Sequence, residues 1–248
     1  MSSYQSHIAM LLFKQQKRML LLHKNNTQFL RSFFEKGTQL APLPAFFKAK
    51  KVQFGNVPTM QIENLRPNKN PKRILVYIHG GGFVVGSPKS HKGYVASLCQ
   101  LAQASFAYLP DYRLAPEARF PAAIDDVFAA WQGIIEKYQG YEIVLGGDSA
   151  GGNLALALCV RARDEGVALP QRVYLLSPWL DLTLTSPSHE KQDHRDPFLG
   201  TYFLERDFAR HYVQERDRKN PQISPLFADF TGLPPFLCAS RFKRGVVG

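Results

Sequence analysis

No run of about 18 consecutive apolar residues occurs in the 248-residue sequence, so nothing in it reads as a membrane-spanning helix. Cysteine is scarce. Cys99, Cys159 and Cys238 lie in apolar runs at no metal-like spacing, and all three are expected as buried, reduced thiols. No metal and no organic cofactor is implied. Acidic residues are scarce at the start of the chain: residues 1–73 hold 13 Lys/Arg against 2 Asp/Glu, whereas residues 74–248 hold 18 of each. A basic segment of this kind favours an anionic membrane surface or nucleic acid. Zinc-finger spacing and an aromatic RNA-binding motif are both missing, which argues against nucleic acid. The expectation is a solvated basic face, with weak membrane-surface contact as the alternative.

A signal peptide is also not apparent. Ile8 to Phe13 is apolar, but Lys14, Lys17 and Arg18 interrupt it before Met19 to Leu22. Together with the cysteine usage, this points to a cytoplasmic protein, peripheral at a membrane in the alternative. Residues 5–36 read as one or two amphipathic basic helices. Ile8, Leu11, Leu12 and Phe13 recur at helical spacing, as a face that packs on the core.

From Pro42 and Pro44 onward the pattern becomes extended. Lys51 to Phe54 and Met60 to Leu65 read as strands around the turn Gly55-Asn56-Val57-Pro58. Arg73 to Ile78 is a nearly continuous apolar run, as expected of a strand buried on both faces of a parallel sheet. Helix and strand then alternate: helix His91–Ala104, strand Ser105–Leu109, helix Phe120–Tyr138, strand Tyr141–Leu145 and helix Gly152–Arg163. Strands Val173–Leu176 and Phe236–Ala239 follow. Such alternation predicts an α/β fold with a mostly parallel, doubly wound sheet. Residues 1–40 are expected to form a helical cap segment and 41–248 an α/β core, with a cap insertion at about 181–221 where the pattern turns polar and helical.

Two motifs carry chemistry. Gly147-Asp148-Ser149-Ala150-Gly151, followed by Gly152, sits between a predicted strand and a predicted helix. A serine on that sharp turn projects its hydroxyl at the carboxyl edge of the sheet, and small neighbours let the backbone turn. The helix N-terminus supplies free N–H groups for developing negative charge. A phosphate loop would need Gly-Lys-Ser/Thr, which is absent. The second motif, His79-Gly80-Gly81-Gly82-Phe83, follows the strand Arg73–Ile78. Its glycines leave N–H groups unobstructed, so Gly81 and Gly82, with Ala150, are the candidate oxyanion donors. Ser149 is the candidate nucleophile. His79, Gly80, Gly147, Asp148 and Gly151 are expected to shape the site, and His79 is not expected to act as the base. Arg113 and Glu117, in Asp111-Tyr112-Arg113-Leu114-Ala115-Pro116-Glu117, are expected to bond loop backbones that frame the site.

These motifs, with Ser177-Pro178-Trp179 and Asp196-Pro197-Phe198-Leu199, occur in the order found in the hormone-sensitive-lipase-like family of α/β-hydrolases (the α/β-hydrolase fold-3 group), which the sequence resembles from about residue 40 to Ser240. The resemblance implies an α/β-hydrolase fold and hydrolysis of small-molecule carboxylic esters, of short to medium acyl length, through an acyl-enzyme under a helical cap. It also implies a triad running Ser, Asp or Glu, then His along the chain. No carboxylate follows Asp229 and no histidine follows His211, so no acid and no histidine of a triad is found. His189, His194 and His211 read as surface residues of the cap. The C-terminal strand and helices of the family's sheet are also unaccounted for. The basic tail Arg241 to Gly248 therefore reads as a truncated or frameshifted end, leaving a chain of low or no activity. The second reading is a non-catalytic homologue that holds a small ligand.

Overall fold

Strand β3, Arg73–Ile78, shows why the sheet forms where it does. Ile74, Val76 and Ile78 are buried on one face, and Leu75 and Tyr77 on the other, following the period-2 alternation of a strand. A strand apolar on both faces needs helices on both sides. The computed structural model describes residues 18–19, 22–23, 26–38, 43–66, 70–185 and 208–239. In chain order its principal elements are α1 (Thr27–Thr38), β1 (Phe47–Phe54), β2 (Val57–Asn64), β3, α2 (Pro88–Leu101) and β4 (Phe106–Pro110). They continue with α3 (Ala122–Lys137), β5 (Glu142–Asp148), α4 (Ala150–Asp164), β6 (Arg172–Leu176) and β7 (Phe236–Ala239).

Among the described residues seven strands form one sheet, in the order β1-β2-β4-β3-β5-β6-β7. β1/β2 and β2/β4 are antiparallel and the remaining pairs are parallel, so this is the mostly parallel α/β sheet that the sequence predicts. α2 covers one face, with Val95, Ala96 and Cys99 packed on Leu75, Tyr77 and Val144. α3 and α4 cover the other, with Trp131, Leu154 and Leu158 in the larger core. α4 is buried nearly all round, which explains its lack of a polar face.

Differences from the predicted boundaries have local causes. The β1–β2 loop is Gly55-Asn56 alone, with Gly55 at φ 55, so the hairpin is tighter than the four-residue turn expected. β5 runs on through Gly146 and Gly147 because these pair with Tyr77 and Ile78. α2 starts at Pro88 because Ser87 caps it, its hydroxyl accepting from the Ser90 N–H at 3.2 Å while the Ser90 hydroxyl accepts from the Ser87 N–H at 2.9 Å.

Cys99 and Cys159 are buried, and burial pushes both thiols up to about 12. Cys238 departs from expectation. It is exposed, as are the other three residues of β7.

In α1 the apolar face packs on the core, with Leu30 buried and Phe29, Phe33 and Phe34 against it. The stripe Ile8, Leu11, Leu12 and Phe13 lies outside the described residues, as do His189, His194, Asp196–Leu199, Ser240 and the tail from Arg241. Of the expected cap regions, 1–40 and 181–221, only parts are described. The described part of the second packs back on the core. Tyr212 stacks on Phe83 with centroids 3.9 Å apart, and the Phe120 N–H donates to the Tyr212 carbonyl at 3.0 Å.

Candidate active site

Strand register brings the two motifs together. Ile78 pairs with Gly147 at the carboxyl ends of β3 and β5, so the loop from His79 leaves the sheet beside the turn at Asp148 and Ser149. The approach is close enough to require glycine on both sides. A Cβ on Gly151 would lie 2.5 Å from the His79 carbonyl oxygen, and one on Gly80 would lie 2.8 Å from the Asp148 carbonyl oxygen. Backbone meets backbone there, so no side-chain adjustment relieves the contact.

Ser149 occupies the turn between β5 and α4 with φ 51 and ψ −121, a conformation that costs a non-glycine residue about 1–3 kcal/mol. The turn is held from its backbone: the Ser149 N–H donates to the Leu176 carbonyl at 3.0 Å. Its carbonyl accepts from Asn153 at 3.1 Å and from Trp179 at 3.0 Å. The hydroxyl is left over. It is half-buried, makes no cap bond to α4, and has no hydrogen-bond partner among the described residues. Likewise, among the described residues, the N–H groups of Gly81, Gly82 and Ala150 donate to no protein acceptor. These unpaired amides fall on the glycine loop and on the first residue of α4. The N-terminus of the 15-residue α4 presents its dipole at the Ser149 turn.

Asp148 ties the turn to the loop. Its Oδ1 accepts from the Gly80 N–H and from the Tyr77 hydroxyl, each at 3.0 Å, and His91 Nε2 stands 3.5 Å away. Burial opposes ionisation, but the hydrogen bond and charge of His91, with the Tyr77 hydrogen bond, outweigh it. The carboxyl is held below its ordinary range. Tyr77 is shifted the other way, by burial first and then by the Asp148 charge, so it stays protonated and donates.

His79 is fully buried, stacked on Tyr112 at 4.3 Å, and its carbonyl accepts from the Tyr112 hydroxyl at 2.8 Å. Its Nδ1 lies 2.9 Å from the Gly80 carbonyl oxygen. A carbonyl only accepts, so Nδ1 carries the proton and Nε2 is bare. Burial, and then the neighbouring charge of His91, hold the ring's pKa down to about 3, so it is neutral at physiological pH. That geometry shapes the loop and leaves His79 unable to take a proton near pH 7.

The glycine loop is braced from outside. Gly81 has φ 125, and its carbonyl accepts from Val84 at 3.1 Å and Val85 at 2.9 Å. Arg31 of α1 donates to the Val84 carbonyl from Nε and to the Ala115 carbonyl from Nη2, each at 2.9 Å. It also forks onto the Glu117 carboxylate at 3.0 and 2.7 Å. The Phe208 ring lies against Gly82, where a Cβ would stand 2.6 Å from the Phe208 Cγ.

Arg113 therefore does not bond a loop backbone as expected. Arg113 pairs with the Asp126 carboxylate at 2.7 Å and Glu117 with Arg31, and it is Arg31 that holds the loop carbonyls. Sequence reasoning missed Tyr77, His91, Arg31 and Phe208. A tyrosine with a polar tip inside the aliphatic run of β3, and a histidine just after the Ser87-Pro88 helix start, were available signals for the first two. Nothing local marks the last two.

A family model described as an alpha/beta hydrolase fold matches residues 75–241. The chain is 40% identical over 178 residues to an acetyl-hydrolase of Streptomyces hygroscopicus, covering 71% of this chain and 58% of that protein. It is also 40% identical over 132 residues to bovine hormone-sensitive lipase, covering 50% of this chain and 17% of that one. Among solved structures, a mutant of the esterase E40 superposes with a TM-score of 0.87 at 31% identity, over 96% of this chain and 79% of that one. The first curated relatives are matched over 58%, 64% and 63% of their length, so the chain spans about three-fifths of them.

Proposed function

From the premise that the chain belongs to the hormone-sensitive-lipase-like α/β-hydrolases, we propose that it carries the acyl-transfer half of a serine ester hydrolase, with Ser149 as nucleophile. The observation that carries this reading is an unbonded hydroxyl on a strained turn, together with unpaired amides at Gly81, Gly82 and Ala150 on the two motifs that the strand register brings together.

In the reaction, Ser149 Oγ attacks the carbonyl carbon of a carboxylic ester, and its proton passes to a base. The oxyanion that forms is stabilised by the N–H groups of Gly81, Gly82 and Ala150 and by the α4 dipole. Collapse breaks the bond to the alcohol oxygen, which leaves protonated as the alcohol and gives an acyl-serine. Water then attacks that ester to release the acid and restore the hydroxyl. His79 is not the base, for the reasons of burial and tautomer given above. Asp148 holds the Gly80 amide, His91 stands beside the Asp148 carboxylate, and both are positioning residues. Parts of residues 1–40 and 181–221 form the cap.

Relatives named acetyl-hydrolase and ethyl acetate hydrolase point to short acyl groups. The Phe208 ring at Gly82 supports the same choice, since it narrows the space beside the oxyanion donors. The test is turnover of p-nitrophenyl acetate, butyrate and octanoate by the chain and by Ser149→Ala. A rate favouring acetate and abolished in the variant is expected. Equal rates in both remove Ser149 from the mechanism.

A further inference from the structure

We propose that the amino edge of the sheet, from β1 to β3, is a docking surface for an anionic lipid membrane, which it meets with Ser149 turned away. The proposal does not rest on the function given above.

The amino ends of β1, β4, β3 and β5 and the carboxyl end of β2 share this edge, because β2 alone runs against its neighbours. Hydrogen bonds join them into a continuous rim. The Leu65 N–H donates to the Phe46 carbonyl at 3.0 Å. The Asn64 N–H donates to the Ser105 carbonyl, and the Ser105 N–H to the Arg73 carbonyl, each at 2.9 Å. Arg73 Nη1 donates to the Ala102 carbonyl at 2.8 Å, which brings the end of α2 to the same rim.

The rim is basic. Residues 43–73 hold seven Lys/Arg against one acidic residue, Glu63. Lys48, Arg66 and Lys72 are exposed at the strand ends, and exposed Lys50 follows Lys48 on the same face of β1. Among the described residues none of these four forms an ion pair. The acids nearby do not cancel them. Glu142 is already held by Arg73 at 2.8 Å, with Arg172 at 3.9 Å, and Glu63 is half-buried opposite Lys48. The Arg66 guanidinium lies over the Phe46 ring, 3.5 Å from its centroid, which keeps that charge on the rim.

Two leucines stand among these charges, Leu65 at 46% exposure and Leu101, at the end of α2, at 80%. Lysines on an edge strand keep other strands away, but that purpose calls for no leucine. A nucleic-acid backbone would take up the cations and leave the leucines idle. Anionic headgroups over acyl chains satisfy both, the charges meeting the headgroups while the apolar side chains enter the interface. β5 spans about 20 Å from Glu142 at this rim to Asp148, so the Ser149 turn lies on the far edge of the sheet.

The experiment sediments the full 248-residue chain with vesicles of phosphatidylcholine alone and of equal parts phosphatidylcholine and phosphatidylglycerol. The expected result is binding to the mixed vesicles only, weakened when salt rises from about 0.05 to 0.5 M. A basic residue beside an anionic surface contributes about a fivefold gain in affinity, so Lys50→Gln with Lys72→Gln should weaken binding about 25-fold, and adding Lys48→Gln and Arg66→Gln about 600-fold. Leu101→Ser leaves the charge unchanged and should still weaken binding about threefold or more. All five positions are exposed, so the cooperative melt of each variant should match that of the parent chain. Amide hydrogen exchange of the bound chain should slow in peptides holding Leu65 and Lys72 and not in the peptide holding Ser149. No binding to the mixed vesicles, or binding undiminished in the fourfold variant, overturns the proposal. Protection of the Ser149 peptide overturns the orientation. Tighter binding to a DNA duplex than to the vesicles, impaired in the fourfold variant and indifferent to Leu101→Ser, overturns it in favour of nucleic acid.

Discussion

Replacing Asp148 tests how the glycine loop is held. In Asp148→Ala the Gly80 N–H and the Tyr77 hydroxyl both lose their acceptor in a largely buried place. Each unsatisfied donor costs about 1–3 kcal/mol, so the variant should lose about 2–6 kcal/mol. Asp148→Asn keeps an oxygen acceptor for both donors and loses only the charge, which lowers their strength from that of bonds to an ion to that of neutral ones, about 1–2 kcal/mol in all. Chemical denaturation followed by circular dichroism separates the two. At about 2–4 °C per kcal/mol for a chain of this size, the melting temperature separates them as well. Asp148 also carries a pH signature. Its folded carboxyl is held below the ordinary value of about 3.9, so its contribution is fully present above that value and is lost as pH falls below it. The alanine variant lacks that dependence, and so does asparagine. If alanine and asparagine destabilise equally, the hydrogen bonds to Gly80 and Tyr77 are not what holds the loop.

His79→Asn keeps an N–H for the Gly80 carbonyl but removes a ring that resists protonation down to about pH 3. Between about pH 6.5 and 3 the unfolded chain binds a proton there that the folded chain does not, so wild-type stability falls with acid by on the order of 1 kcal/mol per pH unit, and denaturation curves of the variant should show that slope reduced by one proton. Gly81→Ala places a Cβ 2.6 Å from the Val85 carbonyl carbon at a φ of 125, so the amide is displaced; Ser149-dependent ester turnover should fall about 10²–10³-fold, and an unchanged rate would exclude Gly81 as a donor. Arg31→Ala removes bonds to the Val84 and Ala115 carbonyls along with a mostly exposed ion pair of little worth; about 1–3 kcal/mol should be lost by thermal melt, with Arg31→Lys restoring less than half because lysine has no fork.

The framework of the fold was legible because it depends on local pattern. β3 and β7 fall where their apolar runs begin and end, and the glycine-flanked serine sits between a strand and a helix as its motif requires. Pairing was not legible. Gly146 and Gly147 look like loop but are ladder residues, because their partners on β3 are 69 residues away in sequence. The support of the site was invisible for the same reason. Arg31 reaches Val84 across 53 residues and Glu117 across 86, and no periodicity encodes such contacts. Cys238 was expected to be buried from its apolar neighbours, yet burial depends on what covers the strand, which lies outside its own sequence.

The central claim is that the hydroxyl at the β5–α4 turn faces an anion site made of free amides. Reaction with a fluorophosphonate, followed by intact mass and peptide mapping, tests it most directly. One phosphonyl group on the peptide containing Ser149, absent in Ser149→Ala and slowed in Gly81→Ala, is the predicted result. Equal labelling of Ser149→Ala, or an adduct on another residue, contradicts the account.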